Sequence, residues 1–149
     1  MRARESKGGI WREWGPGNVV DSLARGAIGA AIEVHRILGP GLLESVYEEA
    51  LCIELAAAGL PFERQVPQTV NYKERNIGTA KLDLLVDRQL VLELKSVETI
   101  APVHVAQVLS YLRFTNLSLG LLINFNVSEL RQGIRRVILA PRNERSRRS

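Results

Sequence analysis

At 149 residues, 46% of them apolar and 24% charged, the chain has the balance of one globular domain that buries a core without disulfide or metal staples, which excludes fibrous and wholly disordered classes. The formal net charge of +4 is gathered at the end, where seven Arg and one Glu follow from Arg131 onward; this favours a polyanionic partner, nucleic acid before membrane, with a solvated tail as the bland alternative. Cys52 is the only cysteine, which excludes an intrachain disulfide and the usual Cys/His zinc site, and with no apolar run of signal-peptide or membrane-span length the expected location is cytoplasmic.

Residues 1–17 mix charge, Gly and Pro with Trp11 and Trp14 and read as an extension. From 19 to 38 the residues Val20, Leu23, Ala27, Ile28, Ala31, Ile32, Val34 and Leu38 recur at helical spacing, with Asp21 and Ser22 as candidate caps. Gly39-Pro40-Gly41 stops this helix, because glycine tolerates a left-handed cap and proline cannot continue the ladder. A second helix is expected from 42 or 43 to 58, its buried stripe read as Leu43, Val46, Tyr47, Ala50, Leu51, Glu54 and Ala57. Glu44 falls in its first turn, where the helix dipole alone favours a carboxylate.

Residues 61–72 and 77–86 read as strands joined by the polar turn at 73–76. The next hairpin, 81–86 with 90–95, organises the rest. Side chains alternate along a strand, so Leu82, Leu84, Val86, Leu90, Leu92 and Leu94 can share one apolar face, provided that the strands are joined by an odd loop such as Asp87-Arg88-Gln89 or carry a bulge. That register sets Asp83 opposite Glu93, with Lys95 beside them. Opposed carboxylates repel across a ladder. A divalent cation such as Mg²⁺ relieves the conflict, since hard cations take one or two carboxylates and fill their remaining positions with water and phosphate oxygens. A solvated face that happens to carry Asp, Glu and Lys is the competing reading.

Pro102 suits the first turn of a helix over 103–114, with Val105, Val108, Leu109 and Leu112 as its stripe. Gln107 and Tyr111, four apart, share a face, as helix-surface groups often do. Strands follow at 117–125 and 134–139, with 127–132 as turn or short helix, and the passage from 90 to 125 predicts a right-handed parallel crossover. The order ααβββαββ is that of an α/β domain with a mixed sheet flanked by helices, spanning 18–140 between the extension and a basic tail at 141–149. His35 reads as a packing histidine, and His104 has a weaker case for chemistry.

Gly41-Leu42-Leu43-Glu44-Ser45-Val46-Tyr47 fits the motif that names the GxxExxY proteins, and Ala31-Ile32-Glu33-Val34-His35-Arg36-Ile37-Leu38-Gly39-Pro40 resembles their lead-in. The likeness continues through Asp83, Glu93-Leu94-Lys95, Gln107 and Tyr111 to Leu122-Ile123-Asn124-Phe125. This family is grouped with the PD-(D/E)XK nuclease-like superfamily, so the resemblance implies a restriction-endonuclease-like core and metal-dependent hydrolysis of nucleic acid, DNA more than RNA. It implies Asp83 and Glu93, with Glu44, as ligands of Mg²⁺ or Mn²⁺, Lys95 as the signature lysine, and Gln107 and Tyr111 as the Gln-x-x-x-Tyr pair that orients ligands or DNA. Leu82 stands where the superfamily name has Pro. The basic end, Arg135, Arg136, Arg142 and Arg145, is expected to contact phosphates. A nucleic-acid-binding or regulatory module without catalysis is the alternative on the same fold.

Overall fold

The computed structural model describes residues 18–140; Trp11, Trp14, Arg142 and Arg145 lie outside the described residues. Three α-helices and five strands follow in the expected order: α1 (Asn18–Leu38), α2 (Glu44–Ala57), β1 (Phe62–Tyr72), β2 (Arg75–Val86), β3 (Leu90–Lys95), α3 (Pro102–Thr115), β4 (Leu119–Asn124) and β5 (Ile134–Ile138), with a short 3₁₀ turn at Leu130–Gly133. The strands form one sheet in the order β1-β2-β3-β4-β5. Only β3 and β4 run parallel, joined through α3; the other neighbours are antiparallel. Among the described residues no helix is long and apolar enough to cross a membrane.

Helices cover both faces of the sheet. Leu84, Val86, Leu90, Leu92 and Leu94 join Leu119, Leu121 and Ile123 under α1 and α2, while Val91, Leu122 and Val137 pack under Val108, Tyr111 and Leu112 of α3. The central strands β3 and β4 are therefore buried on both sides, which is why they read as apolar runs without clean alternation. Gly120 is required by this packing: a Cβ there would lie 2.7 Å from Val108 of α3.

The helix stripes differ in detail from the sequence expectation. In α2 the buried set is Tyr47, Glu48, Leu51, Cys52 and Leu55, whereas Leu43 and Val46 are exposed. In α1 Ala24 and Ala30 are buried and Ile32 faces out. The buried stripe of α1 thus runs through Ala24, Ala27, Ala30 and Ala31, small side chains that face the core in place of Ile32. The expected turn at 73–76 is shorter than read: Lys73 and Glu74 alone make it, with φ of 50° and 68°, because Arg75 and Asn76 already pair with Tyr72 and Asn71.

Leu82 is the one correction that bears on the site. It does not share a face with Leu84 but lies on the α3 side with Val66 and Ala80. The β1–β2 ladder pairs Arg64 with Leu84 and Val66 with Leu82, and between these pairs Gln65 takes a left-handed φ of 48° opposite Asp83. The pairing register is the same on both sides of that point, but the facing of the β2 side chains slips there.

Candidate active site

The slip in β2 frees Asp83 to do something a regular strand residue cannot. Pairing of β2 with β3 runs from Val86↔Leu90 to Leu84↔Leu92, across the odd loop that the apolar pattern required. Beyond it the Leu94 N–H finds an Asp83 carboxylate oxygen at 2.9 Å in place of a main-chain carbonyl. The carboxylate is thereby pinned to the strand that carries Glu93 and Lys95.

Glu93 is 4% exposed. Burial, and then the charge of Asp83, push its carboxyl up to about 8, with the Lys95 ammonium acting against them. Its Oε2 lies 3.8 Å from Lys95 Nζ, and its Oε1 is buried with no hydrogen-bond partner. The Asp83 carboxyl is also raised, mainly by burial, against the Leu94 N–H that stabilises its charged form. Lys95 donates to Gln107 Oε1 at 3.1 Å, and the Gln107 amide donates to the Tyr111 hydroxyl at 3.2 Å. Burial and the two acids raise the Tyr111 phenol, so it stays protonated as a donor. The series Glu93, Lys95, Gln107, Tyr111 thus links the strand to α3 by single polar contacts.

Glu44 enters from the other helix layer. Gly39 and Gly41, at φ of 69° and 100°, turn the chain into α2. Tyr47, stacked on Phe125 at 4.5 Å, staples that turn: its hydroxyl donates to the Gly39 carbonyl at 2.6 Å and accepts from the Leu42 N–H at 3.1 Å. The Ser96 hydroxyl, next after Lys95, donates to the Leu42 carbonyl at 2.6 Å. Glu44 itself is exposed, and its charge is felt at Glu93. Among the described residues no three His, Cys, Asp or Glu side chains are gathered closely enough to hold a metal ion, so the site presents a carboxylate pair with Glu44 standing off it.

Several residues that the sequence did not single out hold this arrangement. Glu48, one turn after Glu44 and 9% exposed, accepts from Arg64 at 3.1 Å and from the Gln65 amide at 2.9 Å, fastening α2 to the irregular point of β1. Asn124, 2% exposed, exchanges hydrogen bonds of 3.0 and 2.9 Å with the Val97 main chain and so fixes the connector that leaves Lys95. A lone Asn closing an unbroken apolar strand was the available signal. His35 packs as expected, its Nε2 donating to the Val127 carbonyl at 2.8 Å.

The two described arginines of the basic end part company. Glu93 pairs with Leu122, and Leu122 with Arg135, so Arg135 stands in the same row of the α3-side face, exposed. Arg136 points to the opposite face and lies 3.8 Å from the buried Asp21 of α1.

A family model described as the PD-(D/E)XK nuclease superfamily matches residues 21–137, more than three-quarters of the chain. The chain belongs to the PD-(D/E)XK nuclease superfamily. Its members are generally phosphodiesterase nucleases that use divalent metals, and the single α/β domain with a five-strand mixed sheet and three helices is consistent with their fold. No curated protein or solved structure matches the chain. Membership gives the Asp83, Glu93, Lys95 cluster a nuclease-like setting and a nucleic acid as the implied substrate class.

Proposed function

We propose that the protein is a divalent-metal-dependent nuclease of the GxxExxY branch, acting in the cytoplasm on the phosphodiester bonds of DNA, and that residues 18–140 form its catalytic domain. The observation that carries the reading is the pair of the half-buried Asp83 and the buried Glu93 with Lys95 beside it. Glu93 Oε1 is an acceptor without a donor and its carboxyl is raised to about 8, which describes an acid site short of positive charge. An all-oxygen pair of this kind fits a hard cation such as Mg²⁺ or Mn²⁺. Asp83 and Glu93 would hold it, with Glu44 as a third acid drawn in from α2, and the cation would supply charge to polarise the phosphate and to activate water.

The chain's own groups then have separate tasks. Lys95, held between Glu93 and Gln107, stabilises negative charge as it builds on the phosphate oxygens. Gln107 orients Lys95 and is itself oriented by Tyr111. Arg135, with Arg142 and Arg145, contributes affinity through backbone phosphates without sequence choice. The runner-up is a nucleic-acid-binding module without catalysis, favoured by one observation: no three metal-ligating side chains are gathered among the described residues.

Purified protein with Mg²⁺ or Mn²⁺, offered single-stranded, duplex and branched DNA and RNA, separates the two. Asp83→Asn and Glu93→Gln keep shape while removing a charged ligand, so cleavage should fall by more than the ~10–100-fold typical of groups that only support a ligand. Affinity in metal-free buffer should hold or rise as repulsion drops. Cutting that persists unchanged in both variants would assign the activity to another site or a contaminant, and salt-sensitive binding with no cleavage would leave the binding module as the better reading.

A further inference from the structure

A surface groove of about 440 Å³ opens beside Lys95 and is lined by Lys95, Val103, His104, Ala106, Gln107 and Ser110. It therefore continues the site along the first two turns of α3, and no carboxylate lines it. Its donors are the Lys95 ammonium, the Gln107 amide, the Ser110 hydroxyl and whatever His104 offers.

What His104 offers is set by the main chain. Its Nδ1 accepts the Ala101 N–H at 2.9 Å, capping the start of α3. An accepting nitrogen carries no proton, so the ring's N–H sits on Nε2, which hydrogen-bonds to no other described residue. The cap thus fixes the histidine as a donor: Nε2 can give a hydrogen bond to an anion but cannot take a proton from water. With Lys95 and Ser110 along the same groove, the acceptor of matching chemistry is a phosphate oxygen.

We propose that this groove is the subsite for the phosphate adjacent to the scissile one, with His104 Nε2 as its donor and Val103 and Ala106 as the apolar floor for the attached sugar. The inference rests on the nuclease reading of the site and extends it to how the strand is laid along α3.

Two substitutions separate this role from capping. His104→Asn keeps an acceptor where Nδ1 stands and loses the outward donor; His104→Gln keeps the cap, since a Gln oxygen at this position of a helix accepts the N-cap N–H, and places an amide N–H near the Nε2 position. Fluorescence anisotropy with labelled single-stranded and duplex oligonucleotides, in chelator at pH 8, reads binding apart from catalysis. His104→Asn should bind about 3- to 10-fold more weakly than wild type, whereas His104→Gln should bind within twofold, both with an unchanged melting temperature because both keep the cap. The salt slope should be the same in all three, because an uncharged donor releases no counterion. Wild-type affinity in His104→Asn, or weaker binding only in His104→Gln, would overturn the subsite and leave the nuclease reading standing. Wild-type protein that binds no oligonucleotide would sink both.

Discussion

Glu93 shows how one buried residue sets the behaviour of the site. Its carboxyl is raised from 4.5 to about 8, so between those values the folded chain holds a proton that the unfolded chain has released. Stability should therefore fall as pH rises from about 4.5 to about 8 and level off above, by up to roughly a few kcal/mol at 1.36 kcal/mol per unit. The raised Asp83 adds in the same direction. Urea unfolding in chelator at pH 5 and pH 9 measures the loss, and Glu93→Gln should flatten it, the comparison cancelling the exposed acids common to both chains. Equal pH dependence in the two proteins would mean that Glu93 is not held in a dry, acid-rich setting.

At the scale of elements, the Gly-Pro-Gly turn and α2 matter because they set where the exposed candidate Glu44 stands. Tyr47 holds that turn through two hydrogen bonds and a stack on Phe125. Tyr47→Phe keeps the stack and strips the hydroxyl, leaving the Gly39 carbonyl and the Leu42 N–H without their partner at a cost of about 1–3 kcal/mol. Denaturant midpoints at constant m-value check this. Any cleavage should fall in the same variant, though by less than in Glu93→Gln, because the turn loosens while the acid pair stays. A variant as stable as the parent would show that water takes over both bonds and that the hydroxyl contributes nothing to the turn.

At the scale of the whole molecule, the acid pair of the candidate site and the arginines of the basic end call for different partners. A divalent cation that binds the folded site alone should stabilise the protein by RT ln(1 + [L]/Kd), about 2.7 kcal/mol at a hundredfold excess over Kd. Calorimetric melting with and without millimolar Mg²⁺ or Mn²⁺ reads it; no shift would point to a site completed only when substrate phosphate arrives. The arginines should separate by face. Arg135→Ala should weaken nucleic-acid binding and lower its salt slope by up to about 0.9. Arg136→Ala should leave the slope alone and destabilise the fold, since Asp21 is buried near it. Truncation after Pro141 should flatten the slope further, while cleavage at saturating substrate survives. Anisotropy titrations at several salt concentrations distinguish these outcomes.

The element order, the β3 boundaries and the odd loop between β2 and β3 were legible in the sequence because they follow from local rules: periodicity, turn residues and the parity of apolar positions. The same parity made Asp83, Glu93 and Lys95 a group before any coordinates, and the opposed acids marked it as chemistry. Parity failed at Leu82, next to the point where β1 carries the left-handed Gln65, since that irregularity lies in β1 and not in β2's own residues. The stripe of α2 was misread because Leu43 and Val46 are more hydrophobic than Cys52, yet the sheet decides which face it receives. For Glu48, Asn124 and His104 the partners were invisible for a related reason. Each is polar, and only its partners, Arg64 and Gln65, Val97, and the Ala101 N–H, turn it from a surface residue into part of the site. Sequence alone determined which residues are candidates for the chemistry; the tertiary structure decided how far each stands from the others, because separations between distant segments are set by packing, which no single segment encodes.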